Sequence, residues 1–368
     1  MDLNKIKNKL KKTYGSLKMG NELQDTYEYI STGNLAFDLI SEGGVPFGHS
    51  VEFLGLSQSG KSTLVLQLIA NAQKDYNAIG ILVDRENSYY KPRGEQLGIN
   101  NNNLLIAPPQ DTVLVTNAFN FLMDTIDTIR AEDTKIWKEK TEGTKTKDDL
   151  LPFEYKTYIV IAIDSIAAFD QDTALEKSNT PRKAKELHAG FRKILPYLDD
   201  HIILLIANQV TYKIVMFGDP KTSTAGESMK YYNHVRFSLE DRSEIKDPKK
   251  GNEVLGNWLK MEVIKTRTGP SHRVCYVRHL YETGIDYYSG YARLLAQRGI
   301  LKPKNEKEFN SFKQSTLKYE DNEINEDKMR ETIEKYPELL LSEYPKYGEL
   351  SLIKEKEEVK ENESNTNK

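Results

Sequence analysis

An α/β fold with a mostly parallel central sheet, extended by antiparallel strands and joined by a small N-terminal helix and a C-terminal helical region, is what the sequence predicts. Three observations carry that expectation. Short continuous apolar runs (VEFL, IGILVD, YIVIAIDS, HIILLIAN) alternate with helix-length amphipathic windows at 113–130 and 182–198, the pattern of buried parallel strands joined by crossover helices. The glycine-rich stretch GLSQSGKST sits between the first run and the amphipathic LVLQLIANAQ, as a strand-to-helix turn would. After Tyr212 the pattern becomes apolar–polar alternation in HVRFSLE, NWLKMEVIKTR and HRVCYVRHLY, which predicts antiparallel strands.

Residues 1–20 place Leu3, Ile6 and Leu10 on one helical face among five lysines, so a short basic amphipathic helix is expected, within an N-terminal oligomerisation segment over 1–28. The core spans 29–301. Inside it, residues 131–152 form a charged insertion: from Ala131 to Leu150 there are five Lys and six Asp or Glu with little apolar periodicity, which reads as solvated surface. GYARLLAQRGIL, 290–301, reads as a helix closed by glycine. A C-terminal helical region follows over 302–353, with a helix at 326–341, and 354–368 is expected to be a disordered charged tail.

Composition sets bounds on function. With 38% hydrophobic residues in 368, the chain can bury a sizeable core. No apolar run is long enough to span a bilayer and the N-terminus lacks a secretory apolar centre, so a cytoplasmic location without membrane partners is expected. The single Cys275 excludes a disulfide within the chain and is expected to be buried in a strand. A net charge of -3 excludes a global basic field, so any nucleic-acid surface must be local.

The stretch from Gly55 to Thr63 satisfies G-x-x-x-x-G-K-[ST] in full. Glycines let successive backbone N–H groups turn inward on a phosphate, and the following helix presents its positive end to the same anion. Gly55, Gln58, Ser59, Gly60, Lys61, Ser62 and Thr63 are therefore assigned to a nucleotide, with Lys61 as the mobile charge on its outer phosphates and Ser62 as a hydroxyl ligand to Mg2+.

In open parallel sheets ligands sit beyond the carboxyl ends of the strands. Asp84 and Glu86 follow one apolar run, Asp164 and Ser165 another, Asn208 and Gln209 a third. Asp164 is placed to serve the magnesium ion directly or through water. Glu86 is the candidate to polarise a water aimed at the terminal phosphate, with Asp84 as its competitor. The Gln209 amide, both donor and acceptor, can register that phosphate and pass the signal to the loop it opens. In that loop Met216 and Phe217 offer stacking surfaces, Lys213, Lys221 and Lys230 offer cations, and Thr222, Thr224, Gly218 and Gly226 offer hydroxyl and N–H donors to phosphates. Such a set suits single-stranded DNA held without sequence readout, in a loop that orders only when DNA arrives.

These residues resemble the ATPase core of the RecA recombinase family. The likeness runs through YISTGNLAFDLISEGGVPFGHSVEFLGLSQSGKSTL, VDRE, AIDSIAA, IANQV, VMFGDPKTSTAGESMKYY and EVIKTRTGP in the family's order, over roughly residues 29 to 301. The resemblance implies a RecA-type P-loop core, ATP and Mg2+ as cofactors, and helical filaments on single-stranded DNA that pair with homologous duplex DNA and exchange strands in recombination and repair. It implies Lys61 and Ser62 at the phosphates and magnesium, Glu86 activating water, Asp164 as the second acidic motif and Gln209 as the sensor. The DNA loops become about 170–182, which includes Arg182, and about 210–229. Lys265 and Arg267 fall where the bacterial proteins reach the ATP of the neighbouring subunit, and Tyr231 falls at an intersubunit contact. A loader and a single-strand-binding protein are further implied partners.

Departures from the bacterial pattern are specific. Arg93 stands where an adenine-stacking tyrosine is usual, which leaves base contact to Tyr89, Tyr90 or Arg93. The insertion and the region after about 302 differ as well, and the compact form looks similar to phage recombinases of the UvsX type. Two alternatives share the core: a ring helicase or translocase, and a non-catalytic mediator switched by nucleotide.

Overall fold

A computed structural model of the chain describes residues 2–11, 13–14, 17–22, 27–141, 151–169, 180–212, 221–223, 229–267, 269–304, 317–319 and 322–340. Helix α1 (Leu3–Leu10) starts on Asp2, whose carboxylate accepts from the Asn4 N–H at 3.0 Å, and it leaves Leu3, Ile6 and Leu10 exposed. Strands β1 (Tyr29–Ile30) and β2 (Val45–Pro46) pair antiparallel around α2 (Leu35–Ile40). The core then alternates β3 (Ser50–Gly55), α3 (Lys61–Tyr76), β4 (Ile79–Asp84), α4 (Lys91–Gln96), β5 (Leu104–Ile106), α5 (Val115–Lys140), β6 (Ile159–Asp164), α6 (Thr180–Ile194) and β7 (Ile202–Tyr212). Next come β8 (Lys221–Ser223), the single turn α7 (Met229–Tyr232), and the long strands β9 (Val235–Asp247) and β10 (Glu253–Lys265). β11 (Val274–Leu280), β12 (Gly284–Ile285) and α8 (Tyr291–Gln297) close the core.

The sheet runs β12-β11-β10-β9-β3-β7-β6-β4-β5. Neighbours from β9 to β5 are parallel, whereas β10, β11 and β12 join antiparallel, as the change in sequence pattern implies. Alternation within strands builds two cores. Val160 and Ala162 of β6 pack on the side of α2, α3 and α8, while Ile159, Ile161 and Ile163 pack on the side of α5 and α6. Cys275 is buried in β11, and burial pushes its thiol up.

Four expectations need correction. Helix α5 continues to Lys140, ten residues into the stretch read as solvated insertion. Its charges face solvent on one side only: Asp133 and Trp137, one turn apart, are buried, and Asp133 accepts from Arg130 at 2.8 Å and from the Thr157 hydroxyl at 2.6 Å. Strand β7 continues four residues past Asn208 because β8 pairs back onto Val210–Tyr212, so Gln209 lies within a strand and the loop begins as a β-hairpin. Among the described residues the region after 302 holds a small antiparallel sheet, β13 (Lys302–Pro303), β14 (Leu317–Tyr319) and β15 (Asn322–Ile324), as well as a short helix, α9 (Met329–Lys335). The helix expected over 326–341 stops at Lys335 because Pro337 has no N–H to continue it. The tail at 354–368 lies outside the described residues.

Candidate functional site

Strand β3 delivers the chain to Gly55, and the next turn works only without side chains. A Cβ on Gly55 would lie 2.2 Å from Ser59 Oγ and 2.6 Å from the Leu239 carbonyl oxygen. Gln58 and Gly60 take left-handed conformations, with φ of 64° and 78°. Gly60 is the N-cap of the 16-residue α3 and offers no capping side chain, so the first-turn N–H groups are left for an anion.

Lys61 is 7% exposed and folds back into the loop, its Nζ donating to the Leu56 carbonyl at 2.6 Å and the Gly55 carbonyl at 3.2 Å. Burial lowers its pKa, while Asp164 and Glu86 pull it back up. Across from it, burial raises the Asp164 carboxyl; the Ser62 hydroxyl bonded to it opposes that rise, and the acidic Glu86 and Asp84 add to it. Asp84 and Asp164 are partners in register at the ends of β4 and β6. A cation between these carboxylates and a phosphate would relieve their mutual repulsion, so the donor set fits magnesium. Among the described residues no group of three or more His, Cys, Asp or Glu could hold an ion by itself.

The structure separates Glu86 from its competitor. Asp84 is 5% exposed and accepts from the Tyr89 N–H at 2.7 Å, fixing the turn that follows β4. Glu86 is exposed, and its Oε1 accepts from Ser165 Oγ at 2.9 Å and from Gln209 Nε2 at 3.3 Å. Residues following β4 and β6 and one within β7 thus converge on one carboxylate beside the phosphate loop.

A cleft of about 440 Å³ opens from Gln58–Thr63 and is walled by Asp241, Asn257, His279 and Tyr281, none of which sequence reasoning singled out. Their only signal was polar side chains set in the alternating strands β9 to β11. Tyr89 donates its hydroxyl to Asn101 at 2.7 Å, whereas Arg93 donates to the Glu282 carbonyl and so stands beside Tyr281 at the rim.

Lys265 and Arg267 lie at the other end of the sheet. Lys265 pairs with Arg236, and Arg236 with Glu52, on the side of β3 away from Gly55. Lys265 Nζ donates to the carbonyls of Lys230 and, at 2.7 Å, Asn233, and Arg267 Nη2 donates to the Tyr231 carbonyl at 3.0 Å. Both cations therefore hold the C-terminal end of α7, and Tyr231 between them is 74% exposed.

Of the assigned DNA residues, Lys221 and Thr222 lie in β8 and Arg182 in the first turn of α6. Lys213, Met216, Phe217, Gly218, Thr224 and Gly226 lie outside the described residues, as does 170–179. No described helix is long and apolar enough to cross a membrane.

A family model described as the RecA N-terminal domain matches residues 1–130 and 154–286, and the gap it leaves covers the charge-rich stretch. The chain is similar to proteins named Protein RecA. That of Chlorobaculum tepidum is 30% identical over 282 residues, 75% of this chain and 72% of the relative. That of Cytophaga hutchinsonii is 30% identical over 303 residues, 80% and 76%. That of Marinobacter nauticus is 29% identical over 276 residues, 73% and 70%.

Proposed function

The chain belongs to the RecA family, and from that premise we propose an ATP-dependent recombinase that forms helical filaments on single-stranded DNA and promotes homologous pairing and strand exchange. The observation that carries this reading is the meeting of Gln209 and Glu86 at the phosphate loop, because it joins the site of turnover to the strand from which the DNA hairpin grows.

ATP would enter the cleft beside Gly55–Thr63. Lys61 then exchanges the loop carbonyls for phosphate oxygens, and α3 adds its unsatisfied N–H groups. Ser62 and Asp164 would hold a magnesium ion, which would neutralise charge on the phosphates. Glu86 orients a water toward the terminal phosphate and accepts its proton, and the Ser165 hydroxyl keeps the carboxylate in place. Arg93 and Tyr281 form the base-binding rim. Gln209, released from Glu86 by the terminal phosphate, reorders β7 and β8 for DNA.

Lys265 and Arg267 point away from their own phosphate loop, so their charge can stabilise a transition state only in a stacked neighbour, with Tyr231 in the contact. Turnover then requires assembly. Steady-state ATP hydrolysis with and without single-stranded DNA tests the reading: stimulation by DNA supports it, and a DNA-independent rate contradicts it. Strand exchange between circular single-stranded and homologous linear duplex DNA tests the recombinase step itself.

A further inference from the structure

Glu52 is a carboxylate in the middle of the apolar run VEFL, and it is 0% exposed. Burying such a charge is costly unless it is paired and hydrogen-bonded. Its partners are all charged or amide donors from other elements. Oε1 accepts from Asn208 Nδ2 of β7 at 2.6 Å; Oε2 accepts from Arg236 Nε of β9 and from Asn233 Nδ2, just after α7, at 3.2 Å. Strand alternation puts Glu52, Asn208 and Arg236 on one face of three adjacent strands, opposite the face on which Val51, Ala207 and Phe237 pack.

Each partner leads to a functional element. Asn208 is bonded in sequence to Gln209. Asn233 also donates to the Met229 carbonyl at 3.0 Å, and its own carbonyl receives Lys265. Among the described residues Asn233 Oδ1 is buried without a hydrogen-bond partner, and the side chain is held by its two donated bonds. The Tyr232 carbonyl is held by the Ser50 hydroxyl at 3.0 Å, which ties the same turn to the start of β3. A small movement of the β7 end is therefore felt first at Glu52 and next at Asn233.

We propose that Glu52 is a positioning residue that couples nucleotide sensing at Gln209 to the set of α7, and through α7 to Lys265 and Arg267. The inference rests on the reading that Gln209 senses nucleotide and that the two cations serve a neighbour. When Gln209 leaves Glu86, Asn208 shifts with it, the carboxylate follows its shortest amide bond, and Asn233 and Arg236 are drawn along. The carbonyls that hold Lys265 and Arg267 then move, and the cations are freed in the subunit that has bound ATP. Binding at one site in this way prepares catalysis at the next.

Hydrogen exchange of the full-length protein, kept unassembled at low concentration and monitored by light scattering, tests this without DNA or turnover. Saturating magnesium and a slowly hydrolysed ATP analogue should change exchange across residues 229–234 about fivefold or more in the parent. Asn208→Leu, which removes one link and leaves no charge unpaired, should bind the analogue within about twofold of the parent yet lose that change. Glu52→Gln should lose it too; should that variant not fold, Asn208→Leu alone decides. An unaltered 229–234 segment in the nucleotide-bound parent, or an equal change in Asn208→Leu, overturns the coupling. DNA-stimulated hydrolysis is measured separately, so failure of the recombinase reading is distinguishable from failure of the relay.

Discussion

Gly55 and Gln209 are register partners on adjacent parallel strands, so the residue that opens the phosphate loop and the residue that leads into the β7–β8 hairpin sit side by side. Gln209 also reaches Glu86. In the proposed function, nucleotide and DNA communicate through these adjacent positions of β3 and β7, with no long-range rearrangement required.

Lys61→Ala should abolish nucleotide-dependent assembly, because the ammonium is the one cationic side chain of the loop from Gly55 to Thr63. Glu86→Gln should keep assembly and lose turnover by about 100-fold or more, the usual worth of a general base. Light scattering and phosphate release read the two effects. Equal rates in Glu86→Gln and the parent would remove Glu86 from catalysis.

Arg267→Ala should bind nucleotide normally as a free subunit and lose most of its turnover on DNA. Mixed one-to-one with Glu86→Gln, which retains Arg267, it should regain part of its activity, since an Arg267→Ala subunit keeps its own Glu86 and receives Arg267 from a Glu86→Gln neighbour. No recovery in the mixture would place Arg267 outside the neighbour's site.

Tyr231→Ala removes an exposed ring and should change the denaturant midpoint of the unassembled protein by no more than about 0.5 kcal/mol. Assembly measured by analytical ultracentrifugation with nucleotide should weaken markedly. Unchanged assembly would relocate the intersubunit contact.

His49 and His234 stack with centroids 3.6 Å apart under Tyr27, next to Lys265 and Arg267. Burial lowers His49 from 6.5 to about 4, with Arg267 adding to the effect and Asp200 opposing it. Burial lowers His234 to about 3, with His49, Arg267 and Lys265 reinforcing it. The unfolded chain thus binds these protons more tightly, so stability held above pH 6.5 is lost as pH falls through the window from 6.5 toward 4. Asp38, raised to about 6 by burial, works in the opposite sense as pH falls. Replacing both histidines with Phe keeps the stack and should flatten the acid-side loss in denaturant midpoints between about pH 7.5 and pH 5. An identical loss in the double variant would assign the dependence elsewhere.

Much of the parallel core was legible because strands buried on both faces have to be continuous apolar runs, and the phosphate loop because glycine is required where Ser59 and Leu239 crowd Gly55. Glu86 and Gln209, which the structure brings together, lie just past those runs. What escaped was polar residues serving as interior. Glu52 reads as an interruption of VEFL until its three partners are seen, and Asp133 reads as one charge among many until Arg130 and Thr157 close on it. The wall of the cleft escaped for a different reason: Asp241, Asn257, His279 and Tyr281 come from three separate strands or their ends, and only sheet register brings them to the phosphate loop.

In the proposed function the active form is a helical filament in which each subunit completes its neighbour's site. Electron microscopy on long single-stranded DNA, with magnesium and a slowly hydrolysed ATP analogue and a nucleotide-free control, tests it most directly. Continuous helical filaments only with nucleotide are the predicted result. Closed rings, or no ordered assembly on DNA, would contradict it.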